Sequence, residues 1–191
     1  MIINIIVAYC KNMGIGKNNN IPWKIKSDLK KFYNLTINNN NNNNNALIMG
    51  KNTFNSLKNP LKYRDNLILS TTMNIDKKYI NNEIIKSFEN INSIMDFCYE
   101  KNYNTVWIIG GEKIYSYFLN DNILKNKINN IYVTRLECDY ECDTFFPDID
   151  TKIFRCISKQ KHKLDTNYNE YNDFIDYNVW DLIYKNIYLI S

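Results

Sequence analysis

The chain opens on Ile2 to Tyr9, a dense apolar run broken only by Asn4, which predicts a strand buried on both faces. Lys11 to Asn20 follows with Gly14, Gly16 and several Asn, and reads as a loop that Ile21-Pro22-Trp23 closes. Ser27 and Asp28 then open a helix to about Leu35, with Ser27 as its N-cap. An Asn-rich surface loop over 37–45 leads into a buried strand, Ala46 to Met49, that Gly50 ends. Lys51 to Leu57 reads as a short helix and Asn66 to Ser70 as a strand. Apolar residues at 91, 94, 95 and 98 carry the helical period over Ile91 to Glu100. Thr105 to Ile109 is again strand, halted by Gly110-Gly111, and Glu112 to Leu119 is helix. The remainder reads as strand: Ile131 to Glu137, about Ile153 to Lys163 and about Phe174 to Tyr184. Early alternation and late strand pairs predict an α/β sheet, mostly parallel with an antiparallel edge.

Composition narrows the class. Of 191 residues, 45% are apolar and 23% charged, with a formal net charge of +4. Asn, Ile, Lys and Tyr make up more than half of the chain, whereas Ala occurs twice and Gly five times. The longest product of that bias is Asn38 to Asn45, expected to be a loop without catalytic function. No window approaches the ~18 apolar residues of a membrane span, and the N-terminus lacks a basic leader and cleavage site. A soluble, cytoplasmic domain covering 1–191 is the expectation, with nucleic acid not indicated by so weak a charge. The five cysteines, Cys10, Cys98, Cys138, Cys142 and Cys156, are expected to be reduced. Cys138 and Cys142 lack a second ligand pair, and the one histidine, His162, stands twenty residues on, so no metal site is expected. Carboxylates and a cofactor are left to carry any chemistry.

Three features have a functional and a bland reading. Gly50 before Lys51-Asn52-Thr53, and Gly110-Gly111 before Glu112-Lys113-Ile114, are strand–glycine–helix junctions that could hold phosphates on backbone amides, or merely turn the chain. Neither is a Walker loop or a standard dinucleotide fingerprint. Asp28 shares a helix face with Phe32 and Leu35, so a carboxylate borders an apolar stripe; it could bind a donor-rich ligand or only complement the helix dipole. Arg64 is one of three Arg among 24 basic residues, which suggests a bidentate anion contact or a surface residue.

These elements, in this order, resemble dihydrofolate reductase from Ile3 to about Lys185. The motifs are Ile6-Val7-Ala8, Gly14-Ile15-Gly16 with Ile21-Pro22-Trp23, Asp28-Leu29-x-x-Phe32, and Ile48-Met49-Gly50-Lys51-x-Thr53-x-x-Ser56-Leu57. Pro60-Leu61-x-x-Arg64-x-Asn66, Ile109-Gly110-Gly111-x-x-Ile114-Tyr115, Tyr132-Val133-Thr134 and Asp143-Thr144-x-Phe146-Pro147 complete the set. The resemblance implies a three-layer α/β/α fold around an eight-stranded, mostly parallel sheet with an antiparallel C-terminal edge. It implies reduction of 7,8-dihydrofolate by hydride transfer from NADPH, susceptibility to antifolates, and a monomer unless fused to thymidylate synthase.

Residue by residue, the resemblance implies that Asp28 holds the pterin amino group and ring nitrogen, supported by Thr134. Ile6, Val7 and Ile109 would line the pterin pocket, with Tyr115 near the nicotinamide. Leu29, Phe32, Leu57 and Leu61 would pack the aminobenzoyl ring, and Arg64 would hold the glutamate carboxylate. Ala8, Ile15, Gly16 and Trp23 would border the nicotinamide, under a lid running from Gly14 to Lys24. Lys51 and Thr71, with Leu69 and Ser70 beside them, would meet the adenosine 2′-phosphate. Gly50, Asn52, Thr53 and Gly110, Gly111, Glu112, Lys113 and Ile114 would cover the pyrophosphate.

Lys51 stands where Arg is frequent, Asn52 where a basic residue is common, and Lys62, Glu112 and Ile21 also depart from the usual pattern. The related reductase of riboflavin synthesis is the competing enzyme reading; Arg64 and the Ile-Pro-Trp plus Asp28 group favour folate. The non-enzymatic reading is a degenerate copy, or one that mainly binds RNA through its Lys surface.

Overall fold

The computed structural model describes residues 1–37, 44–71, 82–163 and 178–189. In chain order the elements are β1 (Ile2–Tyr9), β2 (Gly14–Gly16), α1 (Lys26–Thr36), β3 (Asn45–Gly50), α2 (Lys51–Ser56), β4 (Asp65–Leu69), β5 (Ile85–Phe88) and α3 (Ile91–Glu100). They continue with β6 (Thr105–Gly110), α4 (Glu112–Asn120), α5 (Leu124–Lys127), β7 (Ile128–Leu136), β8 (Thr144–Phe145), β9 (Phe154–Lys163) and β10 (Asn178–Asn186). Eight strands form one sheet in the order β5-β4-β3-β6-β1-β7-β10-β9, and β2 pairs with β8 apart from it. β1 has parallel neighbours on both sides, with Ile5 opposite Ile108 of β6 and Ile131 of β7. The parallel run continues through β3, β4 and β5, while β10 lies antiparallel to both β7 and β9. The α/β class and the antiparallel edge match the alternation of periods in the chain.

Strand alternation sorts the core onto two faces. Ile3, Ile5, Val7 and Tyr9 of β1 pack with Ile94, Met95 and Cys98 of α3 and Phe118 of α4. Ile6 joins Leu47, Met49, Ile68 and Trp107 beneath Phe54 of α2, with Phe32 and Leu35 of α1 against them. Helices therefore cover both sides, and the parallel strands in the middle explain the continuous apolar runs.

Several boundaries differ from expectation. α1 begins at Lys26 with Ile25 in the N-cap position and no side-chain cap, so Ser27 is already inside the first turn. Ile25 is instead fixed by burial beside Trp23 and Cys10. The Asn-rich loop ends earlier than 45: Asn45 is the first residue of β3, buried, and its amide nitrogen donates to the Thr36 carbonyl at 3.0 Å. That bond ties the end of α1 to the sheet. Asn38 to Asn43 and residues 174–177 of the last expected strand lie outside the described residues. β5, α5 and the β2–β8 pair are additional, each too short to show a period. Among the described residues no helix is long and apolar enough to cross a membrane, and no three His, Cys, Asp or Glu side chains are grouped to hold a metal.

Candidate active site

Ligands of open α/β sheets bind beyond the carboxyl ends of the strands; Ala8, Thr134, Asp28 and the two glycine junctions lie towards those ends, whereas Leu61 and Arg64 precede β4 and Thr36 reaches the start of β3. Ala8 near the end of β1 lies opposite Thr134 of β7. The start of α1 lies at this end and presents Asp28 to Thr134, whose hydroxyl donates to Asp28 Oδ1 at 2.6 Å; the helix then runs back to Thr36 at the start of β3. Lys31, one turn further along α1, donates to Thr134 Oγ1 at 2.9 Å and to Asp181 Oδ1 of β10 at 2.5 Å. Burial pushes the Asp28 carboxyl above its ordinary range; the Thr134 hydrogen bond and the Lys31 charge pull it down, and Asp181 pushes it up. A half-buried carboxylate with one oxygen engaged can accept hydrogen bonds from a ligand on the other.

Phe32 packs on the same side with Leu57, Leu61, Ile109 and Ile6, giving an apolar wall next to the acid. Leu29 is on the outer side of α1 and 54% exposed, at the rim rather than in the wall. Val7 belongs to the opposite face, among Ile5, Tyr9 and the α3–α4 core, so it offers this cleft only its backbone.

Beyond Phe32 lies Arg64, 3% exposed. Its Nη1 donates to Thr36 Oγ1 at 2.5 Å and its Nε to the Lys62 carbonyl at 3.0 Å. The guanidinium carbon sits 5.8 Å from the Phe32 ring and 5.5 Å from the Tyr33 ring. Asn66 latches the turn that carries it, bonding Leu61 N and Leu61 O at 3.1 and 3.0 Å. Among the described residues no carboxylate pairs with Arg64, and burial lowers its proton affinity. A buried arginine with unspent donors is a ready site for an anion.

The two glycine junctions are neighbours, because β3 and β6 are adjacent. A Cβ on Gly50 would stand 3.3 Å from Ile114, and one on Gly111 would stand 3.4 Å from the Thr53 hydroxyl. Gly110 is the demanding position: its φ of +100° is left-handed, and a Cβ would strike the Tyr115 ring at 2.6 Å. Tyr115 itself is buried and donates its hydroxyl to the Ile6 carbonyl at 2.9 Å, joining α4 to the end of β1. The Glu112 carboxylate turns towards β8 and accepts from Phe145 N at 3.2 Å, while Lys113 is exposed. Asn52 and Thr71 are exposed and Lys51 half-buried; Leu69 ends the neighbouring strand β4 and Ser70 follows it.

Gly14, Ile15 and Gly16 form β2, clamped to β8. Asp143 N donates to the Gly16 carbonyl at 3.0 Å, Asn18 N to Asp143 Oδ2 at 2.8 Å, and Lys17 pairs with Glu141 at 2.7 Å. Further along the same loop Trp23 is buried beside Ala8, Cys10 and Tyr140, whereas Ile21 is 63% exposed. Thus the structure packs Ile6, Phe32, Leu57, Leu61 and Ile109 together, with Arg64 against Phe32, and joins Asp28 to Thr134 beside Ala8. Lys31, Thr36 and Asp181 are the members that sequence reasoning missed. Lys31 had a signal, its i,i+3 spacing from Asp28; Asp181 had one too, as the lone acid in the apolar segment Val179 to Ile183.

A family profile described as dihydrofolate reductase matches residues 2–179. The dihydrofolate reductase of Gallus gallus is 37% identical over 164 residues, covering 82% of this chain and 84% of that protein. That of Schistosoma mansoni is 32% identical over 157 residues, 78% of this chain and 80% of its own. The bifunctional dihydrofolate reductase-thymidylate synthase 2 of Arabidopsis thaliana is 32% identical over 159 residues, 79% of this chain but 27% of that longer protein. A solved dihydrofolate reductase from Enterococcus faecalis, complexed with NADP(H) and RAB-propyl, shares the fold with a TM-score of 0.73. It covers 97% of this chain and 96% of that one at 23% identity.

Proposed function

The chain belongs to the dihydrofolate reductase family of enzymes, and from that premise we propose that it reduces 7,8-dihydrofolate to 5,6,7,8-tetrahydrofolate with NADPH as reductant. The observation that carries the reading is an apolar wall around Phe32 with a half-buried carboxylate on one side and, on the other, a buried arginine that pairs with no carboxylate among the described residues. Such an arrangement suits a long ligand with a donor-rich heterocycle, an aromatic middle and a carboxylate tail. Asp28 accepts from the pterin amino group and ring nitrogen, Phe32, Leu57 and Leu61 hold the aminobenzoyl ring, and Arg64 takes the glutamate carboxylate in a forked pair. An antifolate with a basic heterocycle would meet the same carboxylate.

The glycine junctions fit a dinucleotide: they stand side by side at the ends of β3 and β6, where backbone amides can hold phosphates, and the missing Cβ atoms let these turns pack against Ile114, Tyr115 and Thr53. Gly110 to Ile114, Gly50 and Thr53 would hold the pyrophosphate, Lys51 and Thr71 the adenosine phosphate, and Ala8, Ile15, Gly16, Trp23 and Tyr115 the nicotinamide. NADPH, when bound, supplies the hydride. The protein's part is orientation, exclusion of water beneath the loop from Gly14 to Lys24, and polarisation of the pterin by Asp28. A water molecule beside Asp28 delivers the proton to pterin nitrogen 5.

Residues 1–191 are read as one domain, because the first strand lies mid-sheet and the last described strands extend the same sheet; a cytoplasmic setting goes with the reductase reading. Its product would serve one-carbon transfer, including thymidylate synthesis. Purified protein is expected to consume NADPH at 340 nm only when dihydrofolate is present, and more slowly with NADH. No dihydrofolate-dependent turnover at micromolar enzyme would overturn the reading.

A further inference from the structure

Four polar side chains from three elements meet behind the cleft. Thr134 of β7 stands opposite Asp181 of β10 in the antiparallel register, and α1 brings Asp28 and Lys31 to the same point. A threonine hydroxyl has one proton to give. Lys31 is an ammonium and donates only, so at 2.9 Å the Thr134 oxygen accepts from it. The Thr134 proton then has two acceptors within reach: Asp28 Oδ1 at 2.6 Å and Asp181 Oδ1 at 3.4 Å.

Asp181 is occupied on both sides. Its Oδ1 accepts from Lys31 at 2.5 Å and its Oδ2 lies 3.3 Å from His162 Nε2 on β9. We propose that Lys31 and Asp181 are a positioning pair that aims the Thr134 hydroxyl at Asp28 and sets the proton affinity of that carboxylate during turnover. The proposal rests on the reductase reading of Asp28. Lys31 satisfies the competing carboxylate, directs the threonine proton towards the ligand-binding one, and places a positive charge one contact from it. Without Lys31, two carboxylates would share one hydroxyl proton with no cation between them. Among the described residues, the charged and titratable groups facing the site are Asp28 and Lys31 from α1, Asp181 from β10, His162 from β9 and Tyr115 from α4, whose hydroxyl donates to the Ile6 carbonyl. The Lys31 and Asp181 side chains are 25% and 29% exposed, so solvent weakens the pair without abolishing it.

The test is the pH profile of dihydrofolate reduction under saturating substrates, in a His162→Gln background so that the imidazole's own titration is absent. Lys31→Met is expected to move the apparent pKa of the profile up by about half a unit to one unit, since a nearby cation favours the charged carboxylate. Lys31→Arg should return it close to the parent value. Asp181→Asn should move it in the opposite direction, downward, because it removes a like charge and leaves Lys31 in place. Opposite signs would not come from a pair that merely stabilises the fold, which would lower activity in both variants and leave the profile where it was. Unmoved or same-direction profiles overturn the proposal, and if Lys31→Met does not fold, the direction of the Asp181→Asn shift decides. A parent protein with no turnover at all would overturn the reductase reading instead.

Discussion

Asp28 and Arg64 are both charged side chains drawn into apolar surroundings on either side of Phe32, yet the fold treats them differently. Asp28 comes with a hydroxyl donor, a lysine one contact away and a second carboxylate behind that, so its charge and direction are set before any ligand arrives. Arg64 comes with a threonine hydroxyl, one backbone carbonyl and two aromatic rings, none of which neutralises it. The difference teaches a division of labour. The acid end is preorganised by protein partners, whereas the arginine end has no carboxylate partner among the described residues, and an anion brought there would be held more strongly as water is excluded.

Replacing Asp28 should break the comparison most deeply. Asp28→Asn is expected to lower kcat by about 10²–10³-fold while NADPH binding, followed by fluorescence quenching, persists. The same substitution should stabilise the ligand-free protein at neutral pH. Burial raises the carboxyl's proton affinity in the folded state, so its contribution to stability is full below the unfolded carboxylate range and is lost as pH rises through the raised value. Melting temperatures measured from pH 4 to 8 should therefore show an Asn advantage that closes on acidification. An advantage that widens instead would mean that Asp28 is not held against burial.

Arg64→Leu should raise the KM for dihydrofolate by about 10–100-fold through lost charge-assisted bonds, with kcat nearly unchanged because the contact is equally present in ground and transition states. If kcat falls instead with KM steady, the tail is not held there. Thr134→Val sharpens the acid end: activity should fall by about 3–10-fold, the range of one lost hydrogen bond to a charged group, and the profile should shift upward because a donor to the ionised form is gone. The smallest effect is expected of Thr36→Val, a rise in KM of about two- to threefold from a lost neutral acceptor. A larger effect there than at Thr134 would invert the comparison.

Asp28 was legible because a helical period places it on the edge of an apolar stripe, and Arg64 because arginine is rare in a lysine-rich chain. The parallel sheet was legible in the continuous apolar runs of β1, β3 and β6. Other features depend on contacts between distant segments, which no local period records. Asp181 gains its meaning only when β10 pairs with β7, whereas strand alternation alone already sets Val7 on the face opposite Ile6. Asn45 was hidden by composition: in a tract of eight identical residues nothing distinguishes the one that is buried and bonded to Thr36. β5 was missed because four residues at a sheet edge carry too little periodicity to separate from a loop.

The pairing of β7 with β10 also bears on when the protein becomes functional as it is synthesised. β1, β6 and β7 can align once residue 136 has left the ribosome, but the outer edge of β7 stays open until Asn178 to Asn186 emerges. Until then a nascent chain displays unpaired backbone groups along the strand that bears Thr134. A message truncated within the segment 164–177 would thus release a chain with both glycine junctions in place, Thr134 without Asp181 and an adhesive edge, which makes such fragments candidates for aggregation and for quality control rather than partial activity.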